Sequence, residues 1–234
     1  MLIPEHKALF VHIPKTAGQS VENFMLKHLG KNREKDGPGY LLRYNPNPEK
    51  GPKRLAHLTA KEYVKYGYLN QEQFETYFKF TIVRNPWERM LSFYKFRGFS
   101  SLIGFNTFIN RYLPEYFEKE HGFFKPQTDF IFNTQNELLV DFMGRFEQLN
   151  ADFSIIADHL SIPFSQLPKH NRSIEKGIVS KKSFLLLQKH PKILKHLNFS
   201  PQKTLPYQQA YTDASRKLVN RLYERDIDLL GYVF

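Results

Sequence analysis

Near the start of the chain the spacing of apolar residues changes from that of a strand to that of a helix. Ala8 to Ile13 is short, apolar and partly β-branched, which predicts a buried strand. Pro14 has no N–H to give and ends it. From Val21 the apolar residues recur at i, i+3, i+4 and i+8, as Val21, Phe24, Met25 and Leu29. That is one face of a helix, with Gly30 placed to stop it. The turn between carries Lys15, Thr16, Gly18, Gln19 and Ser20. Phe80 to Val83 repeats the strand pattern. Asn85 and Pro86 then supply a cap and a first-turn proline for a following helix. Val140 to Gly144 predicts a third strand, and Arg145 to Leu149 leads into a helix through Phe153, Ile156 and Leu160. Phe105, Phe108, Ile109 and Tyr112 share a helical face. Asp213 is expected to cap a closing helix that bears Leu218, Leu222, Tyr223, Ile227 and Leu230.

Two connecting stretches matter for the site. Lys31 to Arg54 is rich in Gly, Pro and Asn and reads as a long mobile loop. After it, Thr59 and Glu62 are spaced for a capping box, which leaves His57 just outside a helix start. Strand, loop and helix in this order predict an α/β fold: one P-loop-like domain over residues 1–234, with a central parallel sheet flanked by helices. No internal repeat or low-complexity linker interrupts it.

At 234 residues and 41% apolar the chain can build a large core without staples, and it has no cysteine for disulfides or thiolate ligands. No apolar run reaches the length of a membrane span and no signal h-region is present, so a soluble, cytoplasmic protein is expected. The formal charge of +11 calls for an anionic partner: nucleic acid, an acidic or sulfated polymer, a membrane surface or a nucleotide. Residues 176–204 hold seven lysines and no acid. Apolar residues interleave with them, so most of these lysines read as the solvated face of an amphipathic helix.

The turn after the first strand is an anion site by construction. N–H groups at a helix start and the positive end of its dipole attract phosphate, and Lys15 adds a full charge. Thr16 and Ser20 add hydroxyls. The pattern is not Walker A, which places its lysine after the second glycine, whereas Lys15 precedes Gly18. Arg84, at the end of the second strand, and Ser92, nearly two turns along the next helix, are candidates for a second anionic group. The plainer alternatives are a simple strand-to-helix turn with a surface lysine, an Arg84 paired with an acid, and a His57 that is only a polar loop residue.

Taken together, these blocks resemble the sulfotransferase family in its carbohydrate-modifying branch. His12-Ile13-Pro14-Lys15-Thr16-Ala17-Gly18-Gln19-Ser20 is similar to the family's loop for the 5′-phosphosulfate of 3′-phosphoadenosine 5′-phosphosulfate (PAPS). Val83 to Tyr94 is similar to its 3′-phosphate block, with Arg84 and Ser92 as the ligands. Pro126 to Phe130, Gly144 to Glu147 and the closing Asp226 to Phe234 also look like family features. The resemblance implies PAPS as sulfate donor, no metal, and in-line transfer to a hydroxyl of a saccharide or polysaccharide, acidic in keeping with the lysines. Nucleic acid is then not the expected partner. Lys15 would neutralise charge on the departing 3′,5′-ADP, and His57 would take the acceptor's proton, with Glu62, Glu88 and Asp129 as alternatives. Lys176 and Gly177, near Arg172 and Ser173, match a late basic loop at the 3′-phosphate. The absence of cysteines and of an anchor suggests a bacterial member. Two other readings stand beside this one: a nucleotide-dependent kinase on the same strand-loop-helix, and a non-catalytic binder of polyanions. A kinase would want an acidic metal ligand after a strand, and Arg84 stands where that acid belongs.

Overall fold

The structure is a computed structural model that describes residues 1–119, 122–168, 181–198 and 205–234. Arg172, Ser173, Lys176 and Gly177 lie outside the described residues. The chain forms two compact units, Met1–Arg84 with Pro126–His170, and Asn85–Lys125 with Asn171–Phe234.

The first unit is built on a sheet of four strands in the order β1 (Leu2–Ile3), β2 (Ala8–Val11), β3 (Phe78–Val83) and β4 (Phe142–Arg145). β2, β3 and β4 run parallel, as their apolar runs predict. The pattern did not predict β1, a two-residue edge strand antiparallel to β2 that makes the sheet mixed. All four residues of β2 are buried, as expected of a strand covered on both faces. Register places Phe10 opposite Phe80, and their rings stack at 5.2 Å.

Helix α1 (Gly18–His28) buries Val21 and Met25 against Phe10, Phe80 and Ile82, and Phe24 and Leu29 pack at the margin of the same core. Gly30 stops it in the left-handed region at φ 65°, as its position predicts. Helix Leu149–His159 adds Phe153 and Ile156 to that core, and the Phe24 and Phe153 rings meet edge to face at 5.3 Å. The Thr59–Glu62 box forms at the start of helix Ala60–Lys65, where Glu62 Oε2 accepts the Thr59 N–H at 2.8 Å. Segment 31–54 contains the short 3-10 turns Gly37–Tyr40 and Pro48–Lys50 and a bridge between Tyr44 and Arg54.

In the second unit, Asn85 caps helix Pro86–Arg97, its Oδ1 accepting the Trp87 and Glu88 N–H groups at 3.1 Å each. Phe105, Phe108, Ile109 and Tyr112 are all buried. The closing region departs from expectation in two ways. It forms two helices, Asp213–Leu222 and Glu224–Leu230, and the first is capped by Thr212. Thr212 Oγ1 accepts the Ser215 N–H, so Asp213 is the first helical residue and serves the positive end of the dipole. Asp226 and Arg89 are both fully buried and pair at 3.9 Å, and Arg89 also donates to the Lys125 carbonyl at 3.0 Å. Two of the recognisable sequence blocks thus meet inside this unit.

Gly144 shows how closely the first unit is packed. A Cβ there would stand 2.8 Å from Ile82 Cδ1 and 3.1 Å from Asp152 Cβ. We expect Gly144→Ala to destabilise the chain by about 1–3 kcal/mol through overpacking. Urea unfolding checks this, and an unchanged midpoint would mean that β4 and helix Leu149–His159 can move apart freely.

Candidate active site

The site grows from the connection between β2 and α1. Lys15 and Ala17 both take φ of 73°, left-handed values uncommon for residues with a side chain. Alternating hands of this kind turn successive N–H groups to one side and form an anion-binding concavity. The turn is held from within. Thr16, fully buried, donates its hydroxyl to the Ile13 carbonyl at 2.9 Å. Gly18 is required because the His12 ring occupies its side-chain position: a Cβ would lie 2.0 Å from both Cδ2 and Nε2.

The sequence reading placed Gly18, Gln19 and Ser20 in the loop, but the structure places them in the first turn of α1. The left-handed cap at Ala17 starts the helix earlier than its apolar stripe does. Ser20 and Val21 already donate to the Ala17 carbonyl, at 2.8 and 3.3 Å. The first-turn N–H groups of Gly18 and Gln19 precede any carbonyl the helix itself can offer. Gln19 is exposed, Lys15 and Ala17 are half-buried, and Ser20 is buried.

Arg84, at the end of β3, comes to this same turn. Its Nη1 donates to the Lys15 carbonyl at 3.3 Å, and its guanidinium lies over the Phe146 ring at 3.9 Å. The buried Gln127 side chain holds the Arg84 backbone like a missing ladder partner. It accepts the Arg84 N–H at 2.9 Å and donates to the Arg84 carbonyl at 2.8 Å. Ser92 lies half-buried on helix Pro86–Arg97 of the second unit.

His57 stands against the turn. Its Nδ1 is 3.1 Å from the His12 carbonyl, and the two rings meet edge to face at 4.4 Å. A carbonyl oxygen only accepts, so Nδ1 carries the proton and Nε2 is the basic nitrogen. Burial first, and the neighbouring His12 second, push this ring down to about 3. Of the alternative bases, Glu62 is engaged in its capping box, Asp129 is exposed on the short helix Thr128–Ile131, and Glu88 belongs to the second unit.

The sequence reading missed Glu22 and Arg33. Glu22 is fully buried, and it accepts from His12 Nδ1 at 2.5 Å and from Arg33 Nη2 at 2.6 Å. Burial alone would raise its carboxyl, but His12 and Arg33 outweigh burial and bring it down to about 2. The available signal was an acid directly beside Val21, at the edge of the helix's apolar face.

A family model described as "Sulfotransferase family" matches residues 1–233. The chain belongs to the sulfotransferase family. No curated protein and no solved structure matches it. The mostly parallel sheet flanked by helices agrees with the α/β fold of a sulfotransferase, an enzyme that transfers a sulfuryl group. Among the described residues of this sulfotransferase, no helix is long and apolar enough to cross a membrane. None of its His, Asp and Glu residues that are described form a group that could hold a metal ion.

His57 and Glu22 make the stability of this sulfotransferase depend on pH. Both titrate lower in the folded chain than their ordinary values of 6.5 and 4.5, so the folded state holds fewer protons. Their stabilisation is complete above those values and is lost as pH falls toward about 3 for His57 and about 2 for Glu22. We expect the urea midpoint to fall on acidification below pH 6.5, and His57→Asn to make that fall shallower. Identical slopes for the two proteins would show that His57 is not held neutral by folding.

Proposed function

We propose that this sulfotransferase takes its sulfuryl group from PAPS and delivers it to a hydroxyl of a saccharide or polysaccharide. The observation that carries the reading is the meeting of Lys15, the start of α1 and Arg84 at one left-handed turn. The residues present fit a dianionic nucleotide. The Arg84 guanidinium reaches the backbone of the turn that carries Lys15 and leads into the helix start, and the buried carboxylate Glu22 is engaged by His12 and Arg33. Lys15, Thr16, Ala17, Gly18, Gln19 and Ser20 would hold the 5′ end, Thr16 through its backbone. Arg84 would hold the 3′-phosphate. Ser92 as its second ligand rests on the family resemblance alone.

PAPS supplies a sulfuryl group activated as a mixed anhydride, which needs no metal to depart. The protein's part is electrostatic. Lys15 and the N–H groups of the first turn neutralise the negative charge that grows on the leaving side. His57 accepts the proton of the acceptor hydroxyl at Nε2. Its lowered affinity for protons keeps the ring in the accepting form near neutrality. The same weakness leaves most of the rate enhancement to charge neutralisation at the turn. A saccharide acceptor agrees with the branch that the sequence blocks resemble, and an acidic one agrees with the excess of lysine and arginine. The proposed setting is the cytoplasm of a bacterium. The kinase and polyanion-binding readings find no support in the family match.

Titration calorimetry with 3′,5′-ADP in the presence of a chelator tests the donor. Wild-type protein should bind, and Arg84→Ala should bind about tenfold or more weakly, from loss of a charge-assisted contact. Binding of Mg-ATP in preference to 3′,5′-ADP would sink the reading. A screen of saccharides with radiolabelled PAPS then identifies the acceptor. With that acceptor we expect Lys15→Ala to abolish measurable transfer. His57→Ala should bind 3′,5′-ADP normally and turn over about 100-fold more slowly. Undiminished turnover in His57→Ala would move the base role to another residue.

A further inference from the structure

Sulfuryl transfer as proposed uses Lys15, the helix start, Arg84 and His57, and gives no reason for Glu22. Taking a carboxylate out of water is costly, and an apolar residue of the same length at this position would avoid that cost. Glu22 is nevertheless fully buried, one position from Val21 in the core. Its two oxygens are divided between two partners. Oε1 accepts from His12 Nδ1 at 2.5 Å, and Oε2 accepts from Arg33 Nη2 at 2.6 Å. Arg33 is itself steadied through Nη1 by Asn23 Oδ1 at 3.2 Å.

What this fixes is the angle of the His12 ring. An ionised carboxylate accepts and cannot donate, so the ring nitrogen facing it must carry hydrogen. A ring turned over by half a revolution would present a carbon there instead. With Nδ1 held, the Cδ2–Nε2 edge covers Gly18, and the His57 ring packs edge to face against the imidazole at 4.4 Å. One imidazole therefore backs both the first turn of the anion site and the candidate base.

We propose that Glu22 is a positioning residue of the transfer site: through His12 it holds the first turn of α1 and the His57 ring in fixed relation, with Arg33 as its second tether. The proposal rests on the reading of His57 as proton acceptor. It explains why a carboxylate stands at this position on the buried side of α1. A hydrophobe there would cost the transfer site its backing.

The test is Glu22→Met, which keeps length and volume and removes both acceptor oxygens, studied in the full chain with and without 3′,5′-ADP. Removing one partner of a buried pair leaves the others unmatched and destabilises. We expect the urea midpoint to fall, with the chain still folded in the absence of urea. We also expect the imidazole nitrogen signals of His57, assigned in 15N-histidine spectra by their loss in His57→Ala, to shift and broaden as the His12 ring packed against it is released. Turnover with the acceptor found by screening should fall tenfold or more, in kcat rather than in KM for PAPS. In the His57→Ala background the same change should cost less than twofold, because both substitutions then act on one group. A His57 spectrum that stays as in the wild type overturns the proposal, whether or not stability falls. If Glu22→Met does not fold, Arg33→Gln replaces it, since this side chain reaches the surface. A shift of the His57 signals with at least a threefold loss of kcat supports the proposal, and no shift overturns it. Failure of the base reading looks different: His57→Ala itself would then turn over at the wild-type rate.

Discussion

The His12 ring fills the space where a side chain at residue 18 would have to be. Most of the first unit's functional geometry follows from that contact. Residue 18 must be glycine, and the chain can then enter α1 directly from a left-handed Ala17. Two residues with side chains, Lys15 and Ala17, sit at positive φ, which costs on the order of 1–3 kcal/mol each. Such conformations persist only where the surroundings impose them. Here the impositions are visible: Thr16 closes the turn on Ile13, His12 covers Gly18, and Arg84 pulls on the Lys15 carbonyl. A turn fixed from three sides need not reorganise when charge arrives, and preorganisation is what makes backbone N–H groups effective against a developing negative charge.

Charge is arranged to the same end. Glu22 lies close behind the turn and would repel an anion if its charge were unopposed. His12 and Arg33 take one oxygen each, so both oxygens of the carboxylate are engaged, while the Arg84 guanidinium reaches the turn itself. Arg84 has two duties. Its guanidinium stacks on Phe146 and braces the Lys15 carbonyl, which sets its plane. A guanidinium carries five N–H groups in that plane and can bridge a carbonyl and an anion at once. The wider excess of lysine and arginine bears on the approach of an anionic partner more than on the chemistry.

Local features were legible in the sequence and tertiary ones were not. β2, β3, α1, the Asn85 cap and the Thr59–Glu62 box each depend on residues a few positions apart, and each formed where the pattern placed it, apart from the earlier start of α1. Lys15 and Arg84 were readable as candidate anion ligands from a lysine before a helix start and an arginine after a strand, and the structure brings the Arg84 side chain to the Lys15 carbonyl. The errors have equally local causes. Thr212 and Asp213 both suit a cap, and backbone geometry, which composition does not reveal, chose the threonine. β1 is too short to have a period. Glu22 and Arg33 were missed, and Gln127 was noted only as part of a recognisable block, because their roles exist only across the fold. Gln127 completes the hydrogen bonding of a residue 43 positions away, and nothing near it in the chain announces that.

Under the proposed reading, the low proton affinity of His57 and the burial of Glu22 answer one constraint. An anion beside a proton acceptor stabilises the acceptor's charged form, which would hold it in the wrong state. Burying His57 against His12 keeps it neutral, and bonding its Nδ1 to a loop carbonyl chooses the nitrogen that accepts. That hydrogen bond anchors one edge of the ring, and the rest of its orientation comes from a neighbour whose own orientation is fixed. An imidazole pinned by a carboxylate provides that without adding net charge when both are ionised, whereas a lysine or a lone carboxylate in the same place would shift the field at the turn. The buried pair behind the loop would thus reconcile the neutral base proposed at His57 with the anion site proposed at the same turn.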